Sequence, residues 1–396
     1  MNNYIYLFFL FISIAYSSCT KMIIPDSVIE QKNITQNNSE NITSDESIKK
    51  EIDNIAKKLI DSKYNIGIVV AVLHNNKTST YSYGHSNISN KKEMNENTIF
   101  GIGSNTKMLV NSLALILQEK GLINLEETIG DILPKELNYK DEKVRNISLK
   151  SLALHSSGLP REPNDFKTTT TMLSYISTGK HIYRHIDQEY LYDYLENCTL
   201  KEKNESDAIY SNIGSGLFAH LLTIKTGKNL EELLEEHLFQ VLNMNNTTLS
   251  LPINKNLSTG YVGDFPPLMK KNQPLKNWIW SDVMLGTGGA YSTASDLMQI
   301  AKAHLSLSNT ELDNIFKQAH QIHTYDGELY YTLAWQVKKF KEFKTIIHYK
   351  YGVIAGFSCY VGINTKTNDA IVVLKNNFNW KDEIGHNILL RLDESK

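Results

Sequence analysis

The sequence predicts an α/β (α+β) domain in which both ends of the chain build one antiparallel sheet and a mainly helical segment is inserted between them. Three observations carry this. Near the start, apolar residues at helical spacing precede two strand-like runs joined by a two-residue turn. Near the end, three short apolar runs are separated by turns. Between about residues 105 and 270 the spacing is mostly helical, with irregular loops. A chain of 396 residues can bury a large core. Its 41 Lys and Arg against 43 Asp and Glu leave a formal charge of −2, which argues against a nucleic-acid binder.

The first 19 residues stand apart. "YLFFLFISIAYSSC" holds an apolar run from Leu7 to Ile12, followed by small residues before Cys19. A spanning helix needs ~20 apolar residues, so this run reads as a signal peptide. Ser17-Ser18-Cys19 has the form of a bacterial lipoprotein cleavage site, at which Cys19 would carry a lipid. Plain cleavage is the alternative, because Tyr16 stands where an aliphatic residue is usual and no Lys or Arg precedes the run. Residues 20–47 are polar and rich in Asn, Ser and Glu, which predicts a disordered tether. Cys198 and Cys359 then remain, far apart and without metal-ligand spacing; free structural thiols are expected, with a disulfide as the alternative.

From Ile48 onward the elements follow in order. Ile52, Ile55, Ala56, Leu59 and Ile60 mark one face of a helix. "NIGIVVAVLHNN" is a β-branched strand ending at Asn75-Asn76, and the alternating "KTSTYSYG" pairs back on it as a hairpin. Met108–Leu117 reads as a buried helix closed by Lys120-Gly121. "NLEELLEEHLFQVLNM" is an amphipathic helix. "TIIHYKYG", "FSCYVGIN" and "DAIVVLKN" are the late strands, and "DEIGHNILLRLDE" is a closing helix.

Three short patterns carry chemistry. In "FGIGSNTKML", Ser104 and Lys107 are one helical turn apart. A serine hydroxyl needs a base, and a desolvated lysine can be one. The bland alternative is that Ser104 is a helix N-cap. The same spacing also begins at Ser18, Ser47, Ser89 and Ser177, so spacing alone does not select Ser104. Tyr210-Ser211-Asn212 offers a phenol for proton transfer and an amide to hold a substrate, or else a buried aromatic with Asn as a cap. Lys350-Tyr351-Gly352 places a cation and a glycine on a strand, where the one can bind a carboxylate and the other admit substrate to the strand edge. A literal Lys225-Thr226-Gly227 ends a predicted helix with Gly227 as its C-cap, and is read as a decoy. His181 and His185 share a helical spacing but lack a third ligand, so no metal site is expected. The tyrosines of "QEYLYDYL" and "GELYYTLAW" are expected to pack or to line a cleft.

Taken in order, Ser104-Asn105-Thr106-Lys107, Tyr210-Ser211-Asn212 and Lys350-Tyr351-Gly352 resemble the motifs of the serine β-lactamase and penicillin-binding-protein superfamily. The central Y-x-N resembles its class C β-lactamase branch, with DD-peptidase and esterase relatives. "ISLKSLALHSSGLP", "YSNIGSGLFAHLL", "GTGGAYSTASDLMQIAKAHL" and "LAWQV" extend the likeness from Ile48 to the C-terminus. The resemblance implies a β-lactamase-like three-layer sandwich with a helical domain and a cleft between them, working without cofactor or metal. It implies Ser104 as the acylated nucleophile, Lys107 as its base, Tyr210 as the proton donor to the leaving nitrogen, and Lys350 as the cation that orients Tyr210 and attracts a carboxylate. Asn212 would hold the substrate amide, the N–H groups of Ser104 and Val353 the oxyanion, and Asn376 the carboxylate, with Gly352 at the strand edge. Tyr351 departs from the usual small hydroxyl residue and predicts a bulkier edge. Glu162 stands where an amide side chain is usual, and Cys359 where Ser is common.

The function so implied is an exported serine hydrolase of β-lactams or of D-Ala-D-Ala peptidoglycan peptides, in the periplasm or cell envelope, attached to the membrane if Cys19 is lipidated. The alternatives are a small-ester hydrolase and a non-catalytic peptidoglycan-binding surface protein.

Overall fold

The computed structural model describes residues 44–202, 204–253, 255–341, 343–379 and 384–394. The signal peptide, Cys19 and the tether up to residue 43 lie outside the described residues. The first helix, α1 (Ser44–Asp61), begins four residues earlier than the periodicity placed it. Among the described residues no helix is long and apolar enough to cross a membrane.

Among the described residues, one nine-stranded antiparallel sheet organises the fold. In chain order its strands are β1 (Gly67–His74), β2 (Lys77–Asn87), β3 (Lys92–Glu93), β6 (Thr324–Tyr325), β7 (Tyr330–Tyr331), β8 (Gln336–Phe340), β9 (Thr345–Ile354), β10 (Phe357–Asn364) and β11 (Asp369–Lys375). A separate pair joins β4 (Phe100–Gly101) to β5 (Tyr291–Ser292). The sheet order is β3-β2-β1-β11-β10-β9-β8-β7-β6. The seam between chain ends is the β1–β11 pair, with Ile68 opposite Lys375 and Leu73 opposite Ala370. The predicted hairpin turn is real: Asn75 and Asn76 have φ of 49° and 64°, which Asn tolerates well and which a right-twisted two-residue hairpin requires.

The two faces of β1 show why both sides are covered. Ile68, Val70 and Val72 pack with Ile48, Ile52, Ala56 and Leu59 of α1, and with Ile388, Leu389 and Leu392 of the closing helix α7 (Gly385–Glu394). Val69, Ala71 and Leu73 point the other way, into the core formed with α2 (Asn105–Glu119) and α6 (Ala294–His304). The period-2 alternation of a run that is apolar on both faces gives helix, sheet, helix as three layers.

The middle of the chain forms α3 (Phe166–Thr178), α4 (Gln188–Asn197) and α5 (Asn212–Thr226) with shorter turns. Helical structure continues to His320, beyond the expected end near 270. The amphipathic run after Asn229 is a short helix, Leu230–Leu234, passing into a π turn, Glu235–Phe239, that keeps His237, Leu238 and Phe239 buried. Among the described residues, neither Cys198 nor Cys359 forms a disulfide.

Candidate active site

Ser104 occupies the N-cap position of α2 but its hydroxyl does not cap the helix. The first N–H groups are satisfied by preceding carbonyls instead: Asn105 to Ile102, Thr106 to Gly103, and Lys107 to Ser104, at 3.2, 2.9 and 3.1 Å. The hydroxyl is thereby left to Lys107, whose Nζ donates to Ser104 Oγ at 3.2 Å and to the Thr287 carbonyl at 2.7 Å. Lys107 is 2% exposed. Burial, then the positive charges of Lys350 and Arg161, hold its ammonium well below the usual lysine range. A buried amine among cations favours its neutral form, which carries the lone pair a base needs.

Strand β9 brings the third pattern to the same place. Pairing with β8 ends at Tyr349, opposite Gln336, so Lys350–Ile354 pair only with β10 and leave one edge open. Gly352 acts differently from the sequence expectation. A Cβ there would lie 2.1 Å from the Ile102 carbonyl oxygen and 2.9 Å from Ser104 N. Its missing side chain lets the start of α2 close on β9, while the open edge comes from the end of β8. On the facing segment, a Cβ at Gly103 would lie 2.8 Å from Val353 N. The backbone nitrogens of Ser104 and Val353 thus converge. Asn105 ties the junction, its Nδ2 donating to the carbonyls of Ile102 and Cys359.

Tyr210 sits among three basic side chains. Lys107 Nζ, Arg161 Cζ and Lys350 Nζ lie 5.2, 4.9 and 5.3 Å from its ring centre. His155 packs against the ring with centroids 4.4 Å apart, and Tyr331 of β7 packs edge-on behind it. His155 is buried beside Lys350 and Lys107, and is held neutral by that burial and charge. Lys350 is buried too, and desolvation and Arg161 bring its pKa down to about 7.

Asn212 is the first residue of α5, but Ser211 is the cap: its Oγ accepts from Gly214 N at 2.9 Å. This releases the Asn212 amide, whose Nδ2 donates to Glu162 Oε1 at 2.6 Å. Tyr183 donates to the same oxygen at 2.8 Å, and Arg161 Nε lies 3.9 Å away. Burial raises the Glu162 carboxyl above the usual range, against the pull of Arg161 and these hydrogen bonds.

Two expectations are corrected. Tyr351 does not thicken the cleft edge. Its ring belongs to the core on the opposite face of the sheet, and its hydroxyl donates to the Asn379 carbonyl at 2.5 Å, since strand alternation sends it away from the side of Lys350. Asn376 is wholly buried, with Nδ2 donating to the His85 carbonyl and Ser258 Oγ at 3.0 Å each. It ties the β1–β2 region to a loop and does not line the cleft. The decoy behaves as expected, Gly227 capping α5 at φ 70°. His181 stacks on Trp278 while His185 hydrogen-bonds Thr168. The α4 tyrosines pack, Tyr192 against His220, for example. Sequence reasoning missed Arg161, His155 and the Thr287 carbonyl. Only Arg161 had a signal, its place beside Glu162 in "GLPREP".

A mixed three-layer sandwich with a serine and a buried lysine paired at a helix start, faced by a tyrosine and a second lysine on a strand, defines the class. Residues 52–394 match the family model described as Beta-lactamase, and the chain belongs to that family. A β-lactamase of Pseudomonas fluorescens is 28% identical over 207 residues, covering 52% of each chain. The D-alanyl-D-alanine-carboxypeptidase/endopeptidase AmpH of Escherichia coli K12 is 25% identical over 255 residues, 64% of this chain and 61% of that one. The chain therefore spans about half to three fifths of the length of these relatives. Among solved structures, a class C β-lactamase superposes with a TM-score of 0.72 at 21% identity, covering 89% of this chain and 98% of that one. The D-alanine carboxypeptidase AmpC of Burkholderia cenocepacia gives 0.70 at 19% identity over 87% and 99%.

Proposed function

We propose that this protein is a serine hydrolase that forms an acyl-enzyme at Ser104, with β-lactams or D-Ala-D-Ala peptide ends as substrates. The observation that carries this reading is the buried Lys107 amine 3.2 Å from a serine hydroxyl freed from capping. Neutral Lys107 takes the hydroxyl proton as Ser104 Oγ bonds to the substrate carbonyl carbon. The N–H groups of Ser104 and Val353 stabilise the oxyanion. As the C–N bond breaks, Tyr210 protonates the leaving nitrogen and is reprotonated through Lys107. Water then releases the acyl group. Both substrate classes set a carboxylate beside the scissile amide, which suits Lys350 on the open edge of β9, and relatives in the family carry both names.

The test is intact mass of residues 20–396 over time with a penicillin, for wild type, Ser104→Ala and Lys107→Met. A lasting adduct on wild type alone marks a peptidase, and a transient one with released product a β-lactamase. Acylation slowed less than ~10³-fold in Lys107→Met overturns its role as base. No adduct on a folded wild type overturns the β-lactam reading. It favours a small-ester hydrolase, for which the one specific support is that the Tyr351 hydroxyl is turned away from any carboxylate. Cleavage before Cys19 with lipid on that residue is proposed from the sequence; an unmodified mature N-terminus by mass spectrometry refutes it.

A further inference from the structure

A side-chain amide has one accepting and one donating end, and its neighbours decide which end faces a ligand. At Asn212 the neighbour is Glu162. Glu162 Oε1 accepts from Tyr183 at 2.8 Å and from Asn212 Nδ2 at 2.6 Å, so the oxygen that meets Asn212 takes the donating end of its amide. The backbone leaves little other freedom: Asn212 N donates to the Arg161 carbonyl at 2.9 Å and Thr287 Oγ1 donates to the Asn212 carbonyl at 3.0 Å. Asn212 Oδ1 has no partner among the described residues. Glu162 Oε2 is sealed and unpartnered, whereas Asn212 Oδ1 is not among the sealed side-chain atoms. Glu162 itself is 6% exposed and held by Tyr183, with Arg161 offsetting its charge.

We propose that Glu162 is a specificity-determining positioning residue. It turns the Asn212 carbonyl oxygen, rather than the NH2 group, toward the cleft, so that the site prefers acyl groups carrying an N–H donor beside the reacting carbonyl. This deepens, and rests on, the acyl-enzyme reading above. A site that presents a bare acceptor rejects a substrate offering an oxygen in place of N–H, because two lone pairs then face each other without a proton.

The test compares a benzamidoacetyl thioester with its benzoyloxyacetyl counterpart on the same carboxylate-bearing leaving group; they differ only in N–H against O. Wild type acylates the first about tenfold faster or more, on the value of one hydrogen bond. Glu162→Gln can offer either end of its own amide to Asn212, and Glu162→Met offers neither, so both bring the ratio within about threefold. A merely structural role for Glu162 slows both substrates and leaves the ratio unchanged. That result, or a wild-type ratio near one, overturns the proposal.

A second readout needs no turnover. With 15N-labelled asparagine, one Asn212 Nδ2 proton in wild type is shifted downfield and slow to exchange, and Glu162→Met abolishes this. Both protons exchanging at the solvent rate in wild type overturns the orientation whether or not the protein turns over. A locked amide in a protein that acylates neither substrate sinks the acyl-enzyme reading itself, and the specificity role with it.

Discussion

Replacing Gly352 with Ala tests the geometry on which the proposed oxyanion site depends. The new methyl carbon would stand 2.1 Å from the Ile102 carbonyl oxygen, 2.7 Å from Asn105 Nδ2 and 2.9 Å from Ser104 N. Two of those atoms are backbone, so no side chain can swing away to make room. To restore contact near 3 Å, the start of α2 and strand β9 must part by about 1 Å, and the N–H groups of Ser104 and Val353 part with them. A displacement of that size at a reacting centre costs ~10²-fold, and losing one oxyanion donor costs ~10²–10³-fold. The expected fall in acylation rate is therefore roughly 10²–10³-fold, or about 3–4 kcal/mol of activation free energy. Overpacking adds a stability loss of about 1–3 kcal/mol. The assay is acylation by a chromogenic cephalosporin, followed by intact mass, beside thermal unfolding. Gly227→Ala is the control. It meets nothing within 4 Å and strains only its own φ of 70°, so it costs on the order of 1 kcal/mol of stability and leaves acylation alone. Acylation by Gly352→Ala within about threefold of wild type would refute the close approach as the basis of the site.

Other outcomes follow from the same geometry. Lys350, with its pKa near 7, is charged below that pH and neutral above it. Acylation by a carboxylate-bearing substrate therefore falls as pH rises through about 7, and a pH profile with the carboxamide counterpart lacks that step. The same shift has a stability sign. Between about 7 and its ordinary 10.5 the unfolded chain holds a proton the folded one does not, so the contribution of Lys350 to stability improves with rising pH. Lys350→Met removes that slope and raises stability at or below neutral pH by on the order of a few kcal/mol, read by denaturant unfolding at several pH values. Asn376→Ala loses the bonds to His85 and Ser258, which lowers stability by about 1–3 kcal/mol without changing KM. Tyr351→Phe removes the bond to Asn379, which lowers stability by about 1 kcal/mol and leaves acylation within about twofold.

What was legible in the sequence is what local spacing determines. The alternation in "GIVVAVLH" and the Asn75-Asn76 turn need only neighbours in the chain to specify a hairpin, and the hairpin is there. One helical turn between Ser104 and Lys107 is enough to put the amine beside the hydroxyl. The misses share a different cause. Whether Tyr351 faces the cleft depends on which face of β9 Lys350 occupies, and that is fixed by packing against α1 and α7 at the far ends of the chain. Asn376 lies one residue past the end of β11, where its burial against His85 and Ser258 is set by segments 291 and 118 residues away. The same reasoning separates the two meanings of Glu162. From spacing it is only an acid in place of an amide, a donor lost. In the fold it is paired with Asn212, and on the proposal above that pairing decides which end of the Asn212 amide meets a substrate.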